Sequence, residues 1–398
     1  MIFETFTANT YKKLSEHIGI FYNSTNIGVL NTKDSIYLID TGTCAEDAKN
    51  LLESLTEIFP NKKVKAIFNT HSHSDHCGGN AYVVEKTNCK VGTPYLESLI
   101  MKFPYLTGAL YWGGMPFESL EGQGFVNQVA NKVDFILTSD DDTGGFVNKT
   151  GGLGKKATVV AEKAAVPEEE LQVASKEVAV VEKELAVSEE KATVVPEEPT
   201  FSQEKPQFFA KEAQNPLEKV KLIKGKIELD ELFIEIISLP GHFFDQVGFL
   251  VTDKSENKKV FFLGDGFFGI PLLNRFWIPF IYEPEDFRKS IEKIEEIYAD
   301  FYIPGHGDVC TNENLEAVAE FNIIVTLEFE KLIKKLLLEK PQNQEELLKS
   351  VADYAGLELK ESNYILIGTT LRSYLSSMNR RGILEHKIVE NRLIWSVI

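Results

Sequence analysis

The stretch FNTHSHSDHCGG, residues 68–79, decides how this chain is read. It places His71, His73, Asp75 and His76 within six consecutive positions, and three of the chain's seven histidines fall there. The run before it, KVKAIFNT from Lys63 to Thr70, is apolar and β-branched, the pattern of a buried strand, so the polar cluster begins where the strand stops. Residues two apart in extended chain point the same way, which lets His71 and His73 grip one ion together. If the chain then turns, Asp75 and His76 face a second position close by. One short segment can feed two metals, provided that further nitrogen or carboxylate donors come from elsewhere in the chain.

Other segments offer such donors in the same kind of place. SIYLIDTGT, Ser35 to Thr43, reads as a buried strand ending at Asp40, which is expected to hold a ligand in place. LFIEIISLPGH runs into His242, VFFLGDGFF into Asp265, and ADFYIPGHGD into His306, each a strand pattern ending beside glycine. Five of the seven histidines then sit at strand ends, and His17 and His386 are read as ordinary residues. Between the first strands, AEDAKNLLESLTEIF has helical spacing of its apolar residues and closes at Pro60. NAYVVEKTNCKVGTP reads as a helix start followed by a short strand. Strand, helix, strand with donors at the ends begins a layered α/β structure.

At 398 residues and 43% hydrophobic, the chain is long enough for a large core and more than one unit. A net charge of -18 argues against general affinity for nucleic acid. No run approaches a membrane span and MIFETFTANTYKKL lacks the apolar core of a signal peptide, so a soluble cytoplasmic protein is expected, with no membrane partner. Cys44, Cys77, Cys89 and Cys310 are scattered without a C-x-x-C pair, which suits a reducing compartment; Cys77, inside the motif, is read as a packed thiol.

Composition changes sharply near Asp140. Residues 140–216 are drawn largely from Ala, Val, Glu, Lys, Pro and Gly, with KATVV at Lys156 and Lys191 and VPEE at Val166 and Val195. They read as a low-complexity insertion between a first part, 1–139, and a second part, 217–314, of one domain that carries the donor-ended strands. Two aromatic-rich segments flank the expected site. LIMKFPYLTGALYWGGMPFESLEG, Leu99 to Gly122, reads as an irregular connection or a lid loop. After Asp265, Phe267, Phe268, Trp277, Phe280 and Tyr282 are candidates for an apolar substrate wall, and Arg275 and Arg288 for anion anchors.

The ordered set Asp40, HSHSDH at 71–76, His242, Asp265 and His306 resembles the five motifs of the metallo-β-lactamase superfamily of hydrolases, and its site residues are similar to those of hydroxyacylglutathione hydrolases. The resemblance covers roughly residues 1–315 without the insertion. It implies an αβ/βα sandwich with the site between the ends of two sheets. It also implies one metal on His71, His73 and His242, a second on Asp75, His76 and His306, and Asp265 bridging them. Two divalent ions sharing a water lower its pKa towards about 7, giving a hydroxide that Asp75 can orient for attack. Zinc is the default metal, with iron or manganese as alternatives. Aspartate at the bridging position is unlike the antibiotic-hydrolysing members and like the thioesterase and nuclease members. Related oxygenases use one iron with a similar motif.

Residues 315–398 read as three helices, the first ending at Pro341, and a hairpin turning at Glu390-Asn391, a winged-helix-like pattern. Its basic and acidic residues are nearly balanced, so a dimerising or substrate-capping role is favoured over nucleic-acid binding. The expected function is hydrolysis of a small ester, thioester or lactone, with a small-molecule substrate and a homodimer through the C-terminal unit as partner. A phosphodiesterase or endoribonuclease that holds nucleic acid with that unit is the first alternative, and a ligand-sensing nucleic-acid-binding regulator the second. Replacing Asp142–Gln214 with a short Gly/Ser linker is expected to leave bound metal unchanged, as read by elemental analysis. Loss of metal would make the insertion part of the site.

Overall fold

In the computed structural model, residues 10–126, 128–140, 220–275 and 277–398 are described. Nearly all of the 140–216 insertion lies outside them. The chain opens with a meander, β1 (Thr10–Lys13), β2 (Ile18–Tyr22), β3 (Ile27–Asn31) and β4 (Ser35–Ile39), each antiparallel to the last. Helix α1 (Ala45–Ile58) then crosses to β5 (Lys63–Phe68), parallel to β4. The short α2 (Ser74–Cys77) and α3 (Asn80–Thr87) lead to β6 (Lys90–Thr93). After three more helices, β7 (Phe135–Thr138) and β8 (Lys221–Lys224) complete an eight-stranded sheet among the described residues, in the order β1 to β8.

Those three helices correct one expectation. Residues 95–121 are not an irregular loop: they form α4 (Tyr95–Lys102), α5 (Tyr105–Trp112) and α6 (Glu118–Glu121). Pro94 and Pro104 precede the first two, and Gly113 closes α5 at φ 80. Proline before a start and glycine past an end punctuate short helices, and beside so many aromatic residues they read as loop.

The second sheet has β9 (Lys226–Leu229), β10 (Leu232–Ser238), β11 (Val247–Asp253) and β12 (Lys258–Gly264), then β13 (Phe301–Pro304) parallel to β12. Helices α7 (Ile270–Arg275) and α8 (Pro284–Glu296) fill the crossover. Inner faces of both sheets meet in one core, where Ile20, Leu30 and Phe68 face Ile234, Phe249 and Phe262. On the outside of the first sheet, Leu38, Val64 and Ile67 pack on Leu51 and Leu55 of α1 and Val83 of α3. Outside the second, Phe261 and Leu263 pack with Phe287, Ile291 and Ile294 of α8. Helix, sheet, sheet, helix is the αβ/βα sandwich that the resemblance implied.

The C-terminal unit continues that outer core rather than hanging free. Helix α9 (Leu315–Glu339), β14 (Gln342–Asn343), α10 (Gln344–Ala355), α11 (Glu361–Arg380) and the hairpin β15 (Leu384–Val389) and β16 (Arg392–Val397) follow in order. Phe329, Leu347, Leu371, Tyr374 and Trp395 belong to the same apolar cluster as Phe261 and Phe287. Glu390 and Asn391 have φ 50 and 62, the left-handed pair of a tight two-residue hairpin turn. No described helix is long and apolar enough to cross a membrane.

A buried carboxylate ties the two sheets at the end opposite the His71–His76 cluster. Asp253, at the end of β11, accepts from Ser15 Oγ at 2.7 Å and from the His17 backbone at 3.0 Å. Burial raises its pKa, but the Ser255 hydroxyl, which donates at 2.6 Å, together with Ser15 and His17 outweighs it and holds the carboxyl down at about 2. A depressed carboxylate stabilises fully above its unfolded pKa and stops doing so as pH falls through the folded one. Asp253→Ala should therefore cost about 1–3 kcal/mol in urea unfolding at neutral pH, because it orphans buried donors. Its deficit should shrink as pH falls from about 4 towards 2.

Candidate metal centre

Strand pairing brings the donors to one place. In the parallel β4–β5 pair Ile39 lies beside Phe68, so Asp40 and Thr70 leave the sheet together. Asp40 accepts from Thr70 N and from Thr70 Oγ1, both at 2.9 Å, and sits 2.8 Å from His76 Nδ1. It adopts φ 61, a strained conformation for a residue with a side chain, held by these contacts. In the parallel β12–β13 pair Gly264 lies beside Pro304, which sets Asp265 next to Gly305 and His306. A Cβ on Gly305 would lie 2.3 Å from Asp265 Oδ1 and 2.6 Å from His76 Cε1, so only glycine leaves room for the cluster.

The seven expected ligands converge. His73 Nδ1 lies 3.1 Å from His71 Nε2 and 2.8 Å from His242 Nε2. His306 Nε2 lies 2.9 Å from Asp75 Oδ2. Asp265 stands between: Oδ1 is 3.3 Å from His76 Nε2, while Oδ2 is 3.3 Å from His242 Nε2 and 3.7 Å from His306 Nε2. His71, His73 and His242 form one group able to hold a cation, and Asp75, His76 and His306 another.

Backbone and carboxylate partners orient several of the rings. His242 Nδ1 contacts the Phe280 carbonyl at 2.9 Å and His306 Nδ1 the Ser24 carbonyl at 2.8 Å, so each can donate its Nδ1 proton there and present Nε2 as a lone pair. Asp40 does the same for His76. His76 Nε2 and Asp265 Oδ1 are buried without a hydrogen-bond partner. A buried ring nitrogen and carboxylate oxygen that face each other without a hydrogen bond are what a cation would satisfy, so the residues fit a metal.

The electrostatics divide the cluster. Burial, followed by the neighbouring imidazoles, pushes His71 far down; burial and His242 take His73 to about 3. His242 is also lowered, chiefly by burial. These three are neutral imidazoles, the form that binds metal. Burial likewise opposes charge on His306, but Asp265 and Asp75 overcome it and raise this group to about 9. His76 is raised well above the usual range by Asp265 and Asp40 against the same burial. Burial would raise Asp265, yet His306, His76 and His242 hold it well below the usual carboxylate range, so it stays ionised.

The remaining candidates fall out as follows. Phe268, Trp277 and Phe280 line a cavity of about 510 Å³ that also opens onto His73, Asp75, His242, Asp265 and His306. Phe267 is instead a fully buried core residue, and Tyr282 lines a separate groove with Arg372 and Arg380. Arg288 is no free anion anchor, since it pairs with Glu330 at 2.9 Å. Cys77 is fully buried. His17 bonds Asp253 and His386 packs on Trp395, both away from the centre.

Sequence reading missed Glu97. It is fully buried, accepting from Ser72 N at 3.0 Å and Ser72 Oγ at 2.5 Å through Oε2, and from Asp245 N at 3.4 Å through Oε1. Asp245 in turn accepts from Leu96 N at 2.9 Å. Glu97 thus clamps the loop of His71 and His73 to the loop of His242. The available signal was an acidic residue on the buried stripe of α4, three and four positions before Ile100 and Met101.

Residues 22–159 match the family model described as metallo-beta-lactamase superfamily. The chain is also similar over 71 residues, at 37% identity, to a linear primary-alkylsulfatase from Pseudomonas sp, and over 67 residues, at 33%, to an (R)-specific secondary-alkylsulfatase from Pseudomonas sp. These segments cover 18% and 17% of this chain and only 10% of each of those proteins. In fold the chain is similar to a beta-lactamase domain protein from Burkholderia ambifaria, with TM-score 0.58 at 10% identity over 99% of this chain and 96% of that one. It is likewise similar to a metallo-beta-lactamase family protein from Thermus thermophilus, with TM-score 0.56 at 14% identity over 97% and 96% of the two chains. The matched segment is that of the metallo-β-lactamase superfamily, and the fold of the whole chain is the sandwich of its structural neighbours.

If Glu97 holds the two loops in register, Glu97→Ala should weaken metal binding about 10–100-fold in chelator competition, the usual effect of losing a residue that orients ligands. Glu97→Gln, which keeps an acceptor for Ser72, should bind metal within a few-fold of wild type. Equal affinity of Glu97→Ala and wild type would contradict the role.

Proposed function

We propose that this chain is a dinuclear metal-dependent hydrolase acting on the ester, thioester or lactone bond of a small acyl substrate. The observation that carries the reading is the place of Asp265, with one oxygen towards His76 and the other towards His242 and His306. His71, His73 and His242 would hold one cation, Asp75, His76 and His306 the other, and Asp265 both. Zinc suits these donors, as do iron and manganese. Two bound cations would supply Lewis acidity and a shared water of lowered pKa. Asp75, partly exposed at the cavity, would accept a proton from an attacking water. Asp40, the Phe280 carbonyl and the Ser24 carbonyl keep the rings of His76, His242 and His306 from turning as charge develops.

The cavity favours an uncharged acyl group over a polyanion. No lysine or arginine is among its described lining residues, whereas nucleic-acid sites rely on cations that meet phosphate. We read the C-terminal unit as a winged helix used as a cap. In nucleic-acid readers of that type a recognition helix enters the groove. Here α11 meets α5 instead: Thr369 Oγ1 and Arg372 donate to the Tyr111 carbonyl at 3.0 and 2.9 Å. Arg381 pairs with Glu330 at 2.7 Å, and Arg380 pairs with Glu283.

The test is hydrolysis of an acyl thioester, a carboxylic ester, an alkyl sulfate and a phosphodiester side by side, using metal-reconstituted protein. The alkyl sulfate is included because the matched Pseudomonas sp proteins are named alkylsulfatases. Turnover of the acyl substrates, abolished in His73→Ala and in Asp265→Ala, is expected. Cleavage of the phosphodiester alone would overturn the reading, and so would full activity in either variant.

A further inference from the structure

We infer that the C-terminal unit forms the selecting wall of the substrate cavity and that the substrate's acyl group carries a medium-length apolar chain. This assignment rests on the hydrolase reading. The polar side chains of the cavity include the candidate metal ligands, and much of the remaining wall is hydrocarbon. Phe280 links the two parts: its ring lies 5.4 Å from that of His73 and 5.7 Å from that of His242. Beyond it, Trp277 comes from the segment after α7, while Leu357, Leu366 and Ile367 come from the C-terminal unit. Each of these five is only partly covered. A volume of about 510 Å³ is within the range of small-molecule sites and exceeds what an acetyl group would fill.

Leu366 and Ile367 are fixed in position. One residue earlier, Ile365 is buried with Tyr111, Leu120 and Val126. Within the next two turns Thr369 and Arg372 bond the Tyr111 carbonyl, and Thr370 Oγ1 accepts from Ile281 N at 3.4 Å. Helix α11 is thereby registered against α5 on one side and against the Trp277–Tyr282 segment on the other. A wall held on both sides measures chain length, where a loose loop would adjust to it.

The experiment follows kcat/KM for acetyl, butyryl, hexanoyl, octanoyl and decanoyl thioesters of one thiol. Calorimetric titrations with acetate and octanoate on the metal-reconstituted protein run in parallel. Burial should raise kcat/KM about fourfold per added methylene until the cavity is full. Ile367→Trp should lower the octanoyl-to-acetyl ratio about tenfold or more, and Ile367→Asn should flatten the whole series. Ratios within one preparation cancel any loss of folded protein. Octanoate binding no tighter than acetate overturns the inference whether or not esters are cleaved. Hydrolysis indifferent to chain length overturns it while leaving the hydrolase reading in place. Octanoate preference that Ile367→Trp removes, with no ester cleaved, would instead leave the pocket standing and sink the hydrolase reading.

Discussion

One buried carboxylate sets the terms for the rest of the structure. Asp265 is 3% exposed and faces imidazoles on both sides, with one oxygen unpartnered. An ionised carboxylate so enclosed is costly unless positive charge meets it. The fold answers by directing three histidines at it from separate segments and by leaving no room for a side chain at Gly305. A cation on each side would complete that arrangement.

The sandwich is what delivers those segments. Parallel pairs β4–β5 and β12–β13 each end their two strands at the same level, so the loops that follow emerge side by side. The sheets face each other across a common core, which brings the loops of one opposite those of the other. A few buried polar side chains then fix the loops: Asp40 holds the motif to its own strand end, and Glu97 holds it to the loop after β10. At the far end Asp253 ties the sheets together. The C-terminal unit shares the outer core of the second sheet and so reaches the cavity as part of the same packed body.

The candidate metal ligands were legible as a converging set because each stands where a strong local pattern stops. A β-branched run ending in His71, or in Pro-Gly before His242, marks a strand end whatever the distance between segments. The positions of β5, β10, β12 and β13 followed from the same signal. Glu97 was not legible, because its meaning depends on Ser72 and Asp245, which only folding brings near. The helices of 95–121 were hidden for another reason: they are short, and aromatic residues on several faces blur helical spacing. Phe267 and Phe268 show the limit of composition. They are neighbours of one type, yet one belongs to the core and the other also faces the cavity.

The central claim is that two cations share Asp265. Anomalous diffraction from crystals of metal-reconstituted protein, collected at the metal's absorption edge, tests it directly. The account predicts two peaks separated by roughly 3.5–4 Å, one among His71, His73 and His242 and one among Asp75, His76 and His306, with Asp265 between them. A single peak at full occupancy, or two peaks away from Asp265, would contradict it.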